Sequence, residues 1–370
     1  MFGDVYRGKR ILLTGDTGFK GSWMRFWLER LGAEVRGFSL RPEGVPSHFS
    51  LLGYERQADE TITDRAVLGR VVREFRPNAV FHLAAQALVR PSYEKPLETL
   101  QANILGTANV LDACREPAED GFRPQAVVVV TSDKCYENRE QIWAYRETDP
   151  MGGYDPYSVS KGCAELVTAS YRNAFFSSDY VESSPKTPVL VASGRAGNVI
   201  GGGDWARDRL IPDLMRAAAA RTTVEIRNPL ATRPWQHVLE AVSGYLTLGQ
   251  KLLAGPLSER VSFAEGWNFG PGERAVSVGE LVKVMTNVWS KIQPVLHSSA
   301  ENPHEAQSLA LDSTKARVRL KWHGVWDFQT TVARTARWYR AYCEQGMVTT
   351  DEDLERYVQD AELQGLEWTK

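Results

Sequence analysis

The sequence is short of the residues that cross-link or metallate small folds. Its 370 residues hold four cysteines, Cys114, Cys135, Cys163 and Cys343, and six histidines. The cysteines have no CxxC or CxxH spacing, which argues against both a disulfide framework and a zinc site. HExxH is missing as well, because His304-Glu305 is followed by Ala306, Gln307 and Ser308, and no metal is expected. No apolar run approaches the length needed to span a bilayer, and MFGDVYRGKRILLTGDTGF at the start lacks the features of a signal peptide. The expectation is a cytoplasmic protein with no membrane partner. Neither sign of charge dominates, since 44 Lys plus Arg face 46 Asp plus Glu for a net charge of −2. That balance gives no basic field for nucleic acid.

What is present is a chain that is 43% hydrophobic and 24% charged, long enough for a large core and two domains. Short apolar runs, RILLTG, AEVRGFSL, AVFHLAA, AVVVVTS and TPVLVASG, alternate with stretches of helical spacing such as SWMRFWLERLG. The alternation predicts an α/β fold, a Rossmann-type doubly wound parallel sheet with helices on both faces. Beyond about residue 198 the rhythm gives way to Gly- and Pro-rich loops, short strand candidates and a Trp-rich helical C-terminus. The expected division is 1–198 for a dinucleotide-binding domain and 199–370 for a smaller α/β substrate domain. Segment 233–253 reads as a helix after a loop that returns to pack on the first domain.

The first strand runs into GDTGFKG, with Gly15, Gly18 and Gly21 spaced GxxGxxG before an amphipathic helix. Glycines are required where the chain turns sharply and where backbone must approach a pyrophosphate seated at a helix N-terminus. The loop therefore points to a dinucleotide, and it lacks the GKS/GKT ending of a nucleotide-hydrolase loop. The acid expected after the second strand, to hold the adenosine ribose, is missing; GFSLRPEG offers Ser39 for a ribose and Arg41 for a 2′-phosphate. NAD is expected over NADP.

VVVVTSDKCY at 127–136 carries a β-branched run straight into Thr131, Ser132, Asp133 and Lys134 with no turn residue between. The end of a buried strand is where an open α/β sheet places its chemistry. Downstream, YDPYSVSK sets Tyr157 and Lys161 four apart, on one helix face. A lysine beside a tyrosine stabilises phenolate, so Tyr157 is expected to take a proton from a substrate hydroxyl near neutral pH, with Ser132 bonding the same oxygen.

With these motifs the chain resembles the extended short-chain dehydrogenase/reductase family, the class of nucleotide-sugar epimerases and dehydratases. TGxxGFKGSW, FHLAAQ, NILGTANVL, TSDK, YDPYSVSK, RAGNVIGGGDW, RLIPD, RPWQHV and NFGP carry the resemblance over almost the whole length. It implies NAD contacts at Gly15, Thr17, Gly18, Phe19, Lys20 and Gly21, at Ser39, at Ala84 in FHLAAQ, and at Tyr157 and Lys161. It further implies a nucleotide-sugar substrate, with Asn198, Arg209 and Arg233 around its diphosphate, and a homodimer or higher homo-oligomer. Asn103 resembles the asparagine that supports the active-site helix, and Thr61 stands where relatives often carry an acid near the adenine.

Within the class, TSDK resembles the 4,6-dehydratases. The catalytic hydroxyl, Ser132, is followed by an acid for the departing 6-hydroxyl, Asp133, and a base for the C5 proton, Lys134, where many relatives have Glu. The implied cycle oxidises C4, eliminates water across C5 and C6, and reduces C6, with NAD recycled and no net redox change. The alternatives are a nucleotide-sugar 4-epimerase, which would use the same cofactor site, Tyr157 and Lys161, a dehydratase of another hexose, and a regulator or scaffold that kept the fold without catalysis.

Overall fold

The computed structural model describes every residue except 43, 45, 177–187, 227, 273, 274 and 297–308, so His304-Glu305 lies outside the described residues. Five strands in the first half, β1 (Arg10–Thr14), β2 (Glu34–Phe38), β3 (Ala79–His82), β4 (Ala126–Val130) and β5 (Leu190–Arg195), join strand Gly266–Asn268 in one six-stranded sheet. Its order is β2-β1-β3-β4-β5-(Gly266–Asn268), and every pairing is parallel. The order reverses between β1 and β3. In such a sheet the crevice beyond the carboxyl ends at the reversal is where ligands bind.

The alternating faces explain why these runs are strands. Ile11, Leu13, Phe81 and Val128 project into one apolar layer, whereas Leu12, Val80, Val127 and Val129 project into the other. All five residues of β4 are buried, so β-branched valine suits both faces at once. The second layer is closed by helices Arg65–Phe75 and Gly106–Arg115 through Leu68, Val72, Val110 and Leu111. The first is closed by helix α1 (Phe19–Arg30) and by helix Val238–Leu253, whose Val238, Val242, Tyr245 and Leu246 share a cluster with Ile11 and Val128. Helix Val238–Leu253 thus packs on the sheet, and two short strands, Thr232–Arg233 and Gln236–His237, stand before it where a loop was expected.

A separate apolar cluster holds Leu214, Met215, Leu281, Met285, Val332 and Trp338, contributed by helices Leu210–Ala220, Val278–Val288 and Phe328–Gln345. We propose that 1–198, together with the returning pieces 238–253 and 266–268, forms the cofactor-side unit, and that this second cluster is the core of the substrate side.

Candidate active site

The site is built at the carboxyl ends of β1, β3 and β4. Gly15 follows β1 with φ of +78°, and a Cβ there would lie 2.5 Å from the backbone nitrogen of Ala84, just past β3. Only glycine allows the two loops to approach so closely at the sheet's switch point. Gly18 caps α1 through extended backbone and without a side-chain bond, leaving the first N–H groups of a 12-residue helix free of a side-chain acceptor. The glycine loop therefore fits a pyrophosphate cradle, with Phe19 partly buried against the first core layer. Thr17 Oγ1 donates to the Leu40 carbonyl at 2.9 Å.

At the end of β4 the three groups Ser132, Asp133 and Lys134 begin a single 3-10 turn, Asp133–Cys135. Ser132 Oγ donates to Asp133 Oδ1 at 2.9 Å and accepts from the Lys134 backbone N–H at 3.2 Å. Lys134 Nζ stands 3.6 Å from Asp133 Oδ2. Among the described residues, Asp133 Oδ2 and Lys134 Nζ are buried atoms with no hydrogen-bond partner. Room for the carboxylate depends on Gly197, where a Cβ would fall 2.1 Å from Asp133 Oδ2.

Helix Pro156–Phe175 brings the other half. Its start is written locally: Pro156 occupies the first turn, and the Asp155 carboxylate accepts from Ser158 N at 2.9 Å. Tyr157 and Lys161 are both buried, with the ammonium 6.0 Å from the centre of the phenol ring. Ser132 is a close enough neighbour of the Tyr157 hydroxyl to favour its phenolate. Burial raises the phenol to about 12; Ser132 and Arg209 pull it down, while Asp133 pushes it up. This departs from the expected pull of Lys161 toward neutrality, because desolvation of the phenolate outweighs the cations around it. Burial likewise lowers Lys161 to about 8.

Two cations complete the cluster. Lys20 is buried, and burial first, then the charges of Arg209 and Lys161, lower it to about 8, while Asp133 and Asp204 push it up. Arg209 pairs with Asp204 at 2.9 Å, a partner the sequence did not announce. Asn198 takes a positive φ of 44°, a conformation that asparagine tolerates better than most residues. Arg233 is buried in its short strand, its guanidinium donating to the Thr232 carbonyl at 2.9 Å. Arg41 is exposed and pairs with Asp59 at 3.0 Å.

Beneath the reactive groups lies a buried network. Glu165, one turn after Lys161, accepts from Thr131 Oγ1 and, at 2.8 Å, from Ser193 Oγ and Arg195 Nη2. Arg195 also donates to the Tyr136 hydroxyl at 2.7 Å, and that hydroxyl donates to Asn268 Oδ1 at 2.7 Å. The loop holding Ser132, Asp133 and Lys134 is thereby tied at both ends to the helix of Tyr157 and Lys161. Asn103 supports the same helix from the other side, its Nδ2 donating to Ser160 Oγ at 2.8 Å and its Oδ1 accepting from Gln86 N at 2.8 Å. It sits in a one-turn π-helix, Gln101–Leu105, a feature frequent at functional sites. The i+4 spacing of Lys161 and Glu165 was visible in sequence; the partners from β4 and β5 were not.

A glycine turn at a Rossmann switch point, with a Ser/Tyr/Lys cluster beside it, defines an α/β enzyme of the short-chain dehydrogenase/reductase class. Residues 12–335 match the model of the family described as GDP-mannose 4,6 dehydratase, and the chain belongs to that family of extended short-chain dehydrogenases/reductases. It is 45% identical over 361 residues to CDP-glucose 4,6-dehydratase of Salmonella typhimurium, covering 96% of this chain and 98% of the relative. It is 24% identical to dTDP-glucose 4,6-dehydratase of Xanthomonas campestris pv. campestris, over 89% of this chain and 92% of that one. Among solved structures, UDP-glucose 4-epimerase of Thermotoga maritima with UDP-glucose superposes with a TM-score of 0.73 at 21% identity, over 90% of this chain and 98% of the other. MoeE5 in complex with UDP-glucose and NAD gives 0.70 at 24% identity, over 90% and 98%. These two share the fold.

Proposed function

We propose that the chain is an NAD-dependent hydro-lyase converting CDP-D-glucose to CDP-4-keto-6-deoxy-D-glucose and water, with no net redox change. The observation that carries the reading is the Ser132-Asp133-Lys134 turn at the end of β4, beside the buried Tyr157 and Lys161, in a chain 45% identical over nearly its full length to a CDP-glucose 4,6-dehydratase. The glycine loop, with Ala84 packed against Gly15, would hold the pyrophosphate and Ser39 the adenosine ribose. Bound NAD would supply a hydride acceptor and donor.

Each protein group then has one proton task. Tyr157, beside Ser132, removes the proton of the 4-hydroxyl, and Lys161 stabilises the resulting phenolate. The 4-ketone acidifies C5. Lys134 takes the C5 proton, and Asp133 gives a proton to the 6-hydroxyl so that it leaves as water. Asp133 Oδ2 and Lys134 Nζ face each other at 3.6 Å and have no hydrogen-bond partner among the described residues, which leaves both able to bond a substrate. Asn198, Arg209 and Arg233 bind the diphosphate; guanidinium forks suit its oxygens.

The product belongs to deoxysugar synthesis for O-antigen-type polysaccharide, in the cytoplasm; among the described residues no helix is long and apolar enough to cross a membrane. The working unit is a homodimer. Leu105, Val159 and Leu166 are exposed on neighbouring helices, at 58%, 37% and 59%, a face suited to pairing with its own copy. Leu166→Glu should give a monomer by sedimentation, and an unaltered mass would remove that face from the interface.

Incubation with CDP-, dTDP-, GDP- and UDP-hexoses side by side tests the function. CDP-glucose should yield a 4-keto-6-deoxy product. A galactose epimer would establish the 4-epimerase reading, preference for another base would reassign the substrate, and no reaction at all would favour a scaffold.

A further inference from the structure

The acid that should follow β2 is missing, yet an acid is present nearby. Asp16, the second residue of GDTGFKG, is fully buried. Its carboxylate accepts from Ser39 Oγ at 2.6 Å, from Arg56 Nη2 at 2.6 and 2.7 Å, and from Arg25 Nη1 at 2.8 Å. Ser39 directly follows β2, beside the turn that Gly15 makes with its N–H donating to Phe38 O at 3.0 Å. We propose that Asp16, acting through Ser39, replaces the missing strand-end acid and makes the ribose site selective for a free 2′-hydroxyl, hence for NAD over NADP.

A serine hydroxyl has one hydrogen, and Ser39 gives it to Asp16. What Ser39 can offer a ligand is therefore a lone pair, as a carboxylate oxygen would. A ribose 2′-hydroxyl can donate to it. A 2′-phosphate, mostly dianionic near pH 7 with a second pKa of about 6, has little proton to donate and meets the lone pair with repulsion. The surrounding arginines do not reverse this. Arg25 pairs with Asp16 and Glu29, Arg36 with Glu60, Arg56 with Asp16 and Glu60, and Arg41 with Asp59. Four guanidinium groups face four carboxylates, so no surplus of positive charge awaits a phosphate. Arg41, the residue best placed in sequence to accept one, is held by Asp59 through both its backbone N–H and its guanidinium.

Asp16 is on this reading a positioning residue, and the proposal rests on the glycine loop being a dinucleotide site. Equilibrium titration of cofactor-stripped protein with NAD+ and with NADP+ tests it without turnover. Wild type should bind NAD+ at least about tenfold tighter. Ser39→Ala should weaken NAD+ by about three- to tenfold, the range of one hydrogen bond, and leave NADP+ within about twofold. Asp16→Asn, which leaves Arg25 and Arg56 with only Glu29 and Glu60 as their ion partners and so adds one net positive charge to the site, should narrow the NAD+/NADP+ ratio by about tenfold or more. Equal losses for both dinucleotides in Asp16→Asn, or an unchanged NAD+ affinity in Ser39→Ala, would overturn the relay. Binding of neither dinucleotide to wild type would overturn the cofactor reading itself.

Discussion

Ser132, Asp133 and Lys134 leave β4 in three different bonding states. Ser132 gives its one hydrogen to Asp133 and accepts from the Lys134 backbone, whereas Asp133 Oδ2 and the Lys134 ammonium have no hydrogen-bond partner among the described residues and face each other at 3.6 Å. That difference separates the proposed steps by residue. Tyr157→Phe keeps the ring in its buried seat and removes the oxygen proposed to take the 4-hydroxyl proton, so turnover should fall by about 10²–10⁴-fold; near-normal rates in a folded variant would move the role elsewhere. Lys134→Met should spare that step, because Tyr157, Ser132 and Lys161 are untouched. It should abolish exchange of the C5 hydrogen in deuterated solvent, with a 4-keto-hexose still detectable. Wild-type-like C5 exchange in Lys134→Met would mean that another group is the base.

At the scale of elements, the glycine turn, the valine strand and the Tyr/Lys helix were all readable, because each depends on neighbours within a few residues. Pro156 and Asp155 announce the helix that presents Tyr157, and the β-branched run announces β4. The clamp of Glu165 and Arg195 was not readable. Its members lie 30 residues apart and meet only when β4, β5 and the helix pack together. The same holds for Asp16, whose partners Arg56 and Ser39 come from 40 and 23 residues away. The clamp makes a prediction of its own. Arg195 and Glu165 have side chains 6% and 4% exposed, and removing one charge strands the other in low dielectric. Arg195→Met should therefore destabilise the protein by about 3–5 kcal/mol in urea unfolding. Adding Glu165→Leu should recover much of that loss, since an apolar pair of similar volume is often neutral or better. A double variant no more stable than Arg195→Met would show that the network's remaining hydrogen bonds, not the charge balance, dominate.

For the whole molecule, the chain closes on itself. Phe2 stacks on Trp368 with ring centres 5.2 Å apart, and the Gly3 N–H donates to the Lys370 carbonyl at 2.8 Å. The helix Val238–Leu253, which covers the sheet, meets this C-terminal layer through one buried acid. Glu240 accepts from the backbone N–H groups of Val325 and Trp326 at 3.0 and 2.8 Å and from the Tyr357 hydroxyl at 2.7 Å. Burial is the larger influence and raises its pKa from 4.5 to about 7, although those three donors pull it down. The sign of the consequence follows from proton counting. Between about 4.5 and about 7 the native state holds a proton that the unfolded chain has released. Stability from this group is thus greatest below that window and falls as pH rises through it. The full effect is on the order of 3 kcal/mol. Glu240→Gln cannot ionise, so its melting temperature should fall less than that of wild type between the two ends of the window. Parallel melting curves at both ends would mean that Glu240 remains charged in the native protein, held by its three donors against burial.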